Sequence, residues 1–123
     1  VRRLRIALIA LAAPILLGAC TPEQFALFDA VTTPTREVLS DEQLHRLRMC
    51  ESRDDYGAVS RSGTYRGAYQ FSQSTWNGVA ERHYPWLVGV DPATADFYWQ
   101  DAMARALYSE AGRSPWPHCG RRI

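Results

Sequence analysis

The sequence predicts a small α+β domain, mostly helical with a short β-hairpin. Three stretches carry that reading: a capped amphipathic segment from Ser40, a Gly- and Tyr-rich segment over residues 56–71, and an Asp91-Pro92 helix start before an Ala-rich run. With 123 residues, 46% hydrophobic and 11% aromatic, the chain can bury one small core and has no room for a second full domain.

All 14 basic residues are Arg. Three of them, Arg2, Arg3 and Arg5, lie in the first 19 residues; the remainder carries 11 Arg against 13 acids, a net charge of −2. That balance argues against nucleic acid as a partner.

The N-terminus reads as an export signal. The three Arg form a basic start, and Ile6 to Leu17 is an apolar run of twelve residues, too short to span a bilayer. Leu17-Gly18-Ala19-Cys20 is similar to a bacterial lipoprotein cleavage motif. Residues 1–19 are therefore expected to be removed. Cys20 would then be acylated and hold the exported chain at the outer face of the cytoplasmic membrane, within reach of the cell wall; the alternative is an ordinary secretory signal with an incidental Cys. Acylation takes Cys20 out of the count of three and leaves Cys50 and Cys119 as a pair in an oxidising compartment. Two free thiols are the other possibility.

Residues 20–39 read as a membrane-proximal tether, with a short helix possible over Pro22–Phe28 and a break at Thr32-Thr33-Pro34-Thr35. The domain opens at residue 40. Ser40 and Gln43 form a capping box and Leu39 and Leu44 a hydrophobic staple, which predicts a helix from Asp41 to Arg53. Leu44, Leu47 and Glu51 recur at helical spacing, so Glu51 falls on the apolar face of this helix. A carboxyl held against apolar groups keeps its proton to higher pH and can act as a general acid. The alternative is a helix-end Glu turned out to solvent.

A β-hairpin is expected next, with Tyr56–Ser60 and Tyr65–Phe71 joined by Arg61-Ser62-Gly63-Thr64. Tyr65, Tyr69 and Phe71 would share one face, as core or as a sugar-binding platform, and Gly67 and Ala68 leave space for a close approach to the backbone. Ser72 caps a helix bearing Trp76, Val79, Ala80 and His83 until Pro85. Asp91-Pro92 is expected to open the longest helix, to about Ala111, with Gly112 ending it. No His, Cys or acid cluster has metal-ligand spacing, and no cofactor is called for.

Cys50-Glu51-Ser52, then Tyr65-Arg66-Gly67-Ala68-Tyr69-Gln70-Phe71-Ser72-Gln73-Ser74-Thr75-Trp76, then Trp116-Pro117-His118-Cys119 resemble the catalytic domain of the resuscitation-promoting factors, transglycosylase-like muralytic proteins of actinobacteria. The resemblance covers about residues 40–119 and leaves 120–123 as a short tail. It implies a lysozyme-like fold, a Cys50–Cys119 disulfide, peptidoglycan as substrate and Glu51 as the single catalytic acid. It also implies that Tyr65, Gln70, Thr75, Trp76 and Gln100 line a glycan groove. The chain departs from that family in three places: Arg53-Asp54-Asp55-Tyr56 stands where Gly-Gly-Asn-Trp is usual, Tyr69 where Leu is usual, and Arg66 where an aromatic is common.

Glycosidases commonly set two carboxylates across the sugar. Asp54 and Asp55 are too near Glu51 in sequence to straddle a ring, which favours one Glu acting as acid and then base. Either water or the muramic acid C6 hydroxyl would then accept the glycosyl group. A different class of function is also open: an inactive, lipid-anchored module that binds peptidoglycan or signals. The oligomeric state is not legible in the sequence.

Overall fold

The computed structural model describes residues 21–123. The basic start, the apolar run and Cys20 lie outside the described residues. Within them the chain forms α1 (Pro22–Arg36), α2 (Asp41–Ser52), α3 (Gln73–His83) and α4 (Phe97–Ala111), with 3-10 turns at Pro85–Leu87 and Cys119–Arg122. No helix among them is long and apolar enough to cross a membrane.

Helix α2 forms as its capping signals predict. The Ser40 side chain accepts from the Gln43 amide while the Gln43 side chain accepts from the Ser40 amide, and Leu39, Leu44 and Leu47 are buried. The helix stops at Ser52, one residue early, because Arg53 and Asp54 both take left-handed backbone angles (φ 57° and 63°). Helix α3 also follows its signals. Ser72 accepts from the Thr75 amide, and Trp76, Val79 and Ala80 enter the core.

Three expectations are corrected. First, the expected break at residues 32–35 is absent, and α1 runs through Pro34 to Arg36. Thr32 and Thr33 donate to the carbonyls of Phe28 and Asp29. Packing holds the helix in place: Phe28 meets the rings of Tyr98 and Trp99 edge-on, and the Thr35 hydroxyl reaches that of Tyr84.

Second, the β-hairpin does not form a sheet. Among the described residues only the isolated bridges Val59–Arg66 and Arg66–Phe71 occur. Gly67 (φ 80°) and Gln70 (φ 54°) turn the chain back after a single pair, so no ladder can propagate. Tyr69 and Phe71 are buried while Tyr65 stays exposed, and the three do not share a face. The space at Gly67 is filled by the protein itself: a Cβ there would lie 2.5 Å from Gln100 Oε1 and 2.8 Å from the Pro92 carbonyl oxygen.

Third, the last helix begins at Phe97 rather than after Asp91. Asp91 is already taken, since its carboxylate receives Arg66 through both oxygens and closes a local turn onto the Ala93 amide. Gly112 ends α4 as expected.

The core lies between α2, α3, α4 and the turns over residues 65–71 and 113–123. Trp76 is fully buried and donates to the Leu87 carbonyl, Trp116 donates to the Tyr69 carbonyl, and Tyr84 packs beside Trp99. Cys50 and Cys119 form a disulfide across 69 positions, tying the last turn of α2 to the C-terminal segment. Closing a loop of that length is worth roughly 4 kcal/mol by chain entropy, a large share of the net stability of a small domain. Cys119→Ser is therefore expected to lower the thermal midpoint by well over ten degrees, as measured by a circular-dichroism melt. A midpoint within a degree or two of the parent would mean that packing alone holds the C-terminal segment.

Candidate active site

Glu51 occupies the last turn of α2, directly after the disulfide-bonded Cys50 and one residue before the helix ends. Its side chain is half-buried. Burial pushes its carboxyl above the usual range, because the charged form loses hydration and gains nothing in return. No hydrogen bond or ion pair to another described residue compensates it.

The other carboxylates near this helix end are occupied. Asp54 accepts from Arg48 Nε at 2.6 Å. Asp55 accepts from the Gly57 amide at 2.8 Å. Asp101, on α4, accepts from the hydroxyls of Tyr56 (2.8 Å) and Tyr69 (2.5 Å) and from Arg48 Nη1 at 3.3 Å. Arg48 Nη1 also donates to the Tyr69 hydroxyl at 2.9 Å, and its guanidinium lies over the Tyr56 and Tyr69 rings. Burial alone would lower the Arg48 pKa, but its bonds to Asp54 and Tyr69 reverse the effect and hold it firmly cationic. The Tyr69 and Tyr56 hydroxyls are pushed well above their ordinary range, first by burial and then by the Asp101 carboxylate, so both stay protonated as donors. This network joins α2 to α4 and to the two turns between them. Sequence reasoning missed it. Its visible traces were three of the departures already noted, Asp54, Tyr56 and Tyr69, each of which bonds to Arg48 or Asp101.

The remaining predicted site residues separate into two groups. Tyr65 and Thr75 are exposed, and Gln70 is partly so, its side chain donating to the Gly67 carbonyl. Trp76 and Gln100, expected to line the groove, lie in the core. Gln100 accepts from the Ala68 amide and donates to the carbonyls of Tyr56 and Ala95; it fixes the 65–71 turn to α4 from a fully buried position. No group of His, Cys, Asp or Glu among the described residues is arranged to hold a metal ion.

Of the cavities on the surface of the described residues, three are well formed, and Glu51 lines none of these three. An apolar one of about 510 Å³ lies between Phe25 and Phe28 of α1 and Trp86, Phe97 and Tyr98. The other two are more polar and lie beside Arg105 and beside Cys50 and Arg122. The carboxylate that lines the apolar cavity, Asp29, is paired with Arg36 at 2.6 Å, whereas Glu51 has no such partner among the described residues.

Residues 39–119 match the model of the transglycosylase-like domain family. The chain is 42% identical over 76 residues to a probable transglycosylase SceD of Staphylococcus haemolyticus, a match covering 62% of this chain and 31% of the relative. It is 36% identical over 91 residues to the probable transglycosylase SceD of a bovine Staphylococcus aureus strain, covering 68% and 38%. The Staphylococcus epidermidis protein of the same name is 38% identical over 76 residues, covering 62% and 33%. The chain thus spans about a third of the length of these relatives. No solved structure matches it.

The raised carboxyl carries a stability consequence with a definite sign. A group whose pKa is higher in the folded state than in the unfolded state supports folding below its unfolded value, about 4.3 for Glu. That support is lost as pH rises through the folded value. Glu51→Gln removes the charge that burial penalises. Its melting temperature, relative to the parent, should therefore be higher at about pH 8 than at about pH 4, read from paired thermal melts. The same difference at both pH values would mean that the carboxylate is fully hydrated in the folded protein.

Proposed function

The chain belongs to the transglycosylase-like domain family, and from that membership we propose that it cleaves the glycan strand of peptidoglycan at the β-1,4 bond between N-acetylmuramic acid and N-acetylglucosamine. Glu51 serves as the single general acid and base. One observation carries the reading: Glu51 is half-buried and unpaired, with its carboxyl raised by burial, while Asp54, Asp55 and Asp101 beside it are each occupied by protein donors.

In the first step the Glu51 carboxyl gives its proton to the glycosidic oxygen. The bond from that oxygen to C1 of the muramic acid breaks, its electron pair stays with the departing N-acetylglucosamine O4, and positive charge develops at C1. In the second step the C6 hydroxyl of the same muramic acid attacks C1 and its proton passes to the Glu51 carboxylate, which regenerates the acid and leaves an anhydro end. The names of the staphylococcal relatives support this intramolecular acceptor over water. No second carboxylate is required, since no external nucleophile has to be activated across the ring.

Exposed Tyr65 and Thr75, together with Gln70, contact the sugars, and Trp76 and Gln100 support that surface from below. Within the family, the resuscitation-promoting factors of actinobacteria are the branch that the Cys50-Glu51-Ser52 and Trp116-Pro117-His118-Cys119 motifs favour. Acylation of Cys20 anchors the exported chain outside the membrane, with α1 between the anchor and the catalytic domain.

Purified peptidoglycan incubated with the protein should release muropeptides whose muramic acid ends are lighter by one water than hydrolysed ends. Glu51→Gln should reduce release to background while the fold survives, because Gln keeps the shape and has no proton to give. Chromatography with mass detection reads both results. Release by Glu51→Gln at the parental rate would remove Glu51 from the mechanism, and reducible, hydrated ends would make water the acceptor.

A further inference from the structure

Arg48 stands three residues before Glu51 on α2, a spacing that makes the two side chains neighbours on the helix surface, within reach of an ion pair. Such a pair would hold Glu51 ionised and deprive it of its proton. The two do not pair here. Arg48 Nε is taken by Asp54 at 2.6 Å, and Nη1 by the Tyr69 hydroxyl at 2.9 Å and by Asp101 at 3.3 Å. The Tyr56 and Tyr69 rings lie against the guanidinium, 5.3 and 5.9 Å from its carbon.

The backbone makes room for this arrangement. Asp54 sits at φ 63°, in the left-handed region where glycine is the easiest residue. In that position its amide caps the Arg48 carbonyl and its carboxylate reaches the Arg48 side chain. Both ends of this residue are thus directed at Arg48.

We propose that Asp54 and Asp101 are positioning residues that occupy the Arg48 guanidinium and so keep it from pairing with Glu51, leaving the acid free to hold its proton. The inference deepens the reading of Glu51 as proton donor and rests on it. The titratable and charged groups on the elements meeting at this helix end are His45, Arg46 and Arg48 of α2; Arg53, Asp54, Asp55 and Tyr56 after it; Tyr69; Asp101 of α4; and His118, Arg121 and Arg122 around Cys119. None is hydrogen-bonded or ion-paired to Glu51. His45 lies 3.6 Å from the second Asp54 oxygen. Of these groups, Arg48 is the cation that helical spacing places nearest the acid.

The test is a carbon-detected NMR titration of the Glu51 carboxyl in the full chain, assigned by its disappearance in Glu51→Gln and paired with the pH profile of muropeptide release. In Asp54→Asn and in Asp101→Asn the freed guanidinium should turn to Glu51. Its titration midpoint should fall by about one pH unit or more, and the alkaline limb of the release profile should move down with it. Adding Arg48→Met to Asp54→Asn should return the midpoint to the parental value, which a general loosening of the helix end would not do. An unchanged midpoint in the Asn variants, or a shift that persists without Arg48, would overturn the proposal. Asp54 is the more exposed of the two acids, and Asp54→Asn decides the question alone if Asp101→Asn does not fold. The titration needs no substrate. If Glu51→Gln releases muropeptides normally, the catalytic reading fails while the midpoint still decides the positioning role.

Discussion

The last turn of α2 is fixed from two sides, and the rest of the site depends on that fixation. On one side Cys50 is bonded to Cys119, which joins the helix to a segment 69 positions away. On the other, Arg48 is bonded to Asp54, Tyr69 and Asp101, which joins it to the following turn, the 65–71 turn and α4. A covalent bond and a charged hydrogen-bond network thus flank Glu51 within three residues of sequence. Neither one alone constrains both the position of the helix end and its rotation. Together they place a carboxyl where hydration is poor and no cation compensates it, an arrangement unfavourable for folding and suited to proton donation.

The cost of holding such a carboxyl is met by the surrounding packing. Gln100 satisfies the backbone of two separate turns from a fully buried position, and Trp116 reaches from the C-terminal segment to the Tyr69 carbonyl. The 65–71 turn is therefore held by side chains from α4 and from the C-terminal segment, with bridges of one residue pair in place of a sheet. An irregular turn of this kind presents exposed Tyr65 beside buried Tyr69 and Phe71. A regular ladder would have put alternate residues on one face.

What was legible in the sequence was what short-range chemistry decides. Ser40 with Gln43 and Ser72 with Thr75 set the starts of α2 and α3 through side-chain bonds three residues long, so reading those residues was enough. The anomaly of Glu51 on an apolar face was also readable, since helical spacing depends on the backbone alone. Features decided by distant partners were not readable. Pro34 reads as a break, yet Phe28 against Tyr98 and Trp99 holds α1 through it. Asp91-Pro92 reads as a helix start, but Arg66, twenty-five positions away, claims the Asp91 carboxylate. Trp76 and Gln100 read as groove residues, and their burial follows from packing that no local pattern records. Asp101 and Arg48, 53 positions apart, left no mark except the unusual residues they bind, Asp54, Tyr56 and Tyr69.

The central claim is that the double fixation of the α2 end is what makes Glu51 an acid, and its most direct test is muropeptide release by oxidised and fully reduced protein at a temperature well below the melting midpoint of the reduced form. With the chain folded in both samples, the account predicts that reduction cuts the rate severalfold or more, because the helix end loses one of its two anchors and Glu51 gains access to water. Equal rates from the two folded samples would contradict it and leave the disulfide with a role in stability alone.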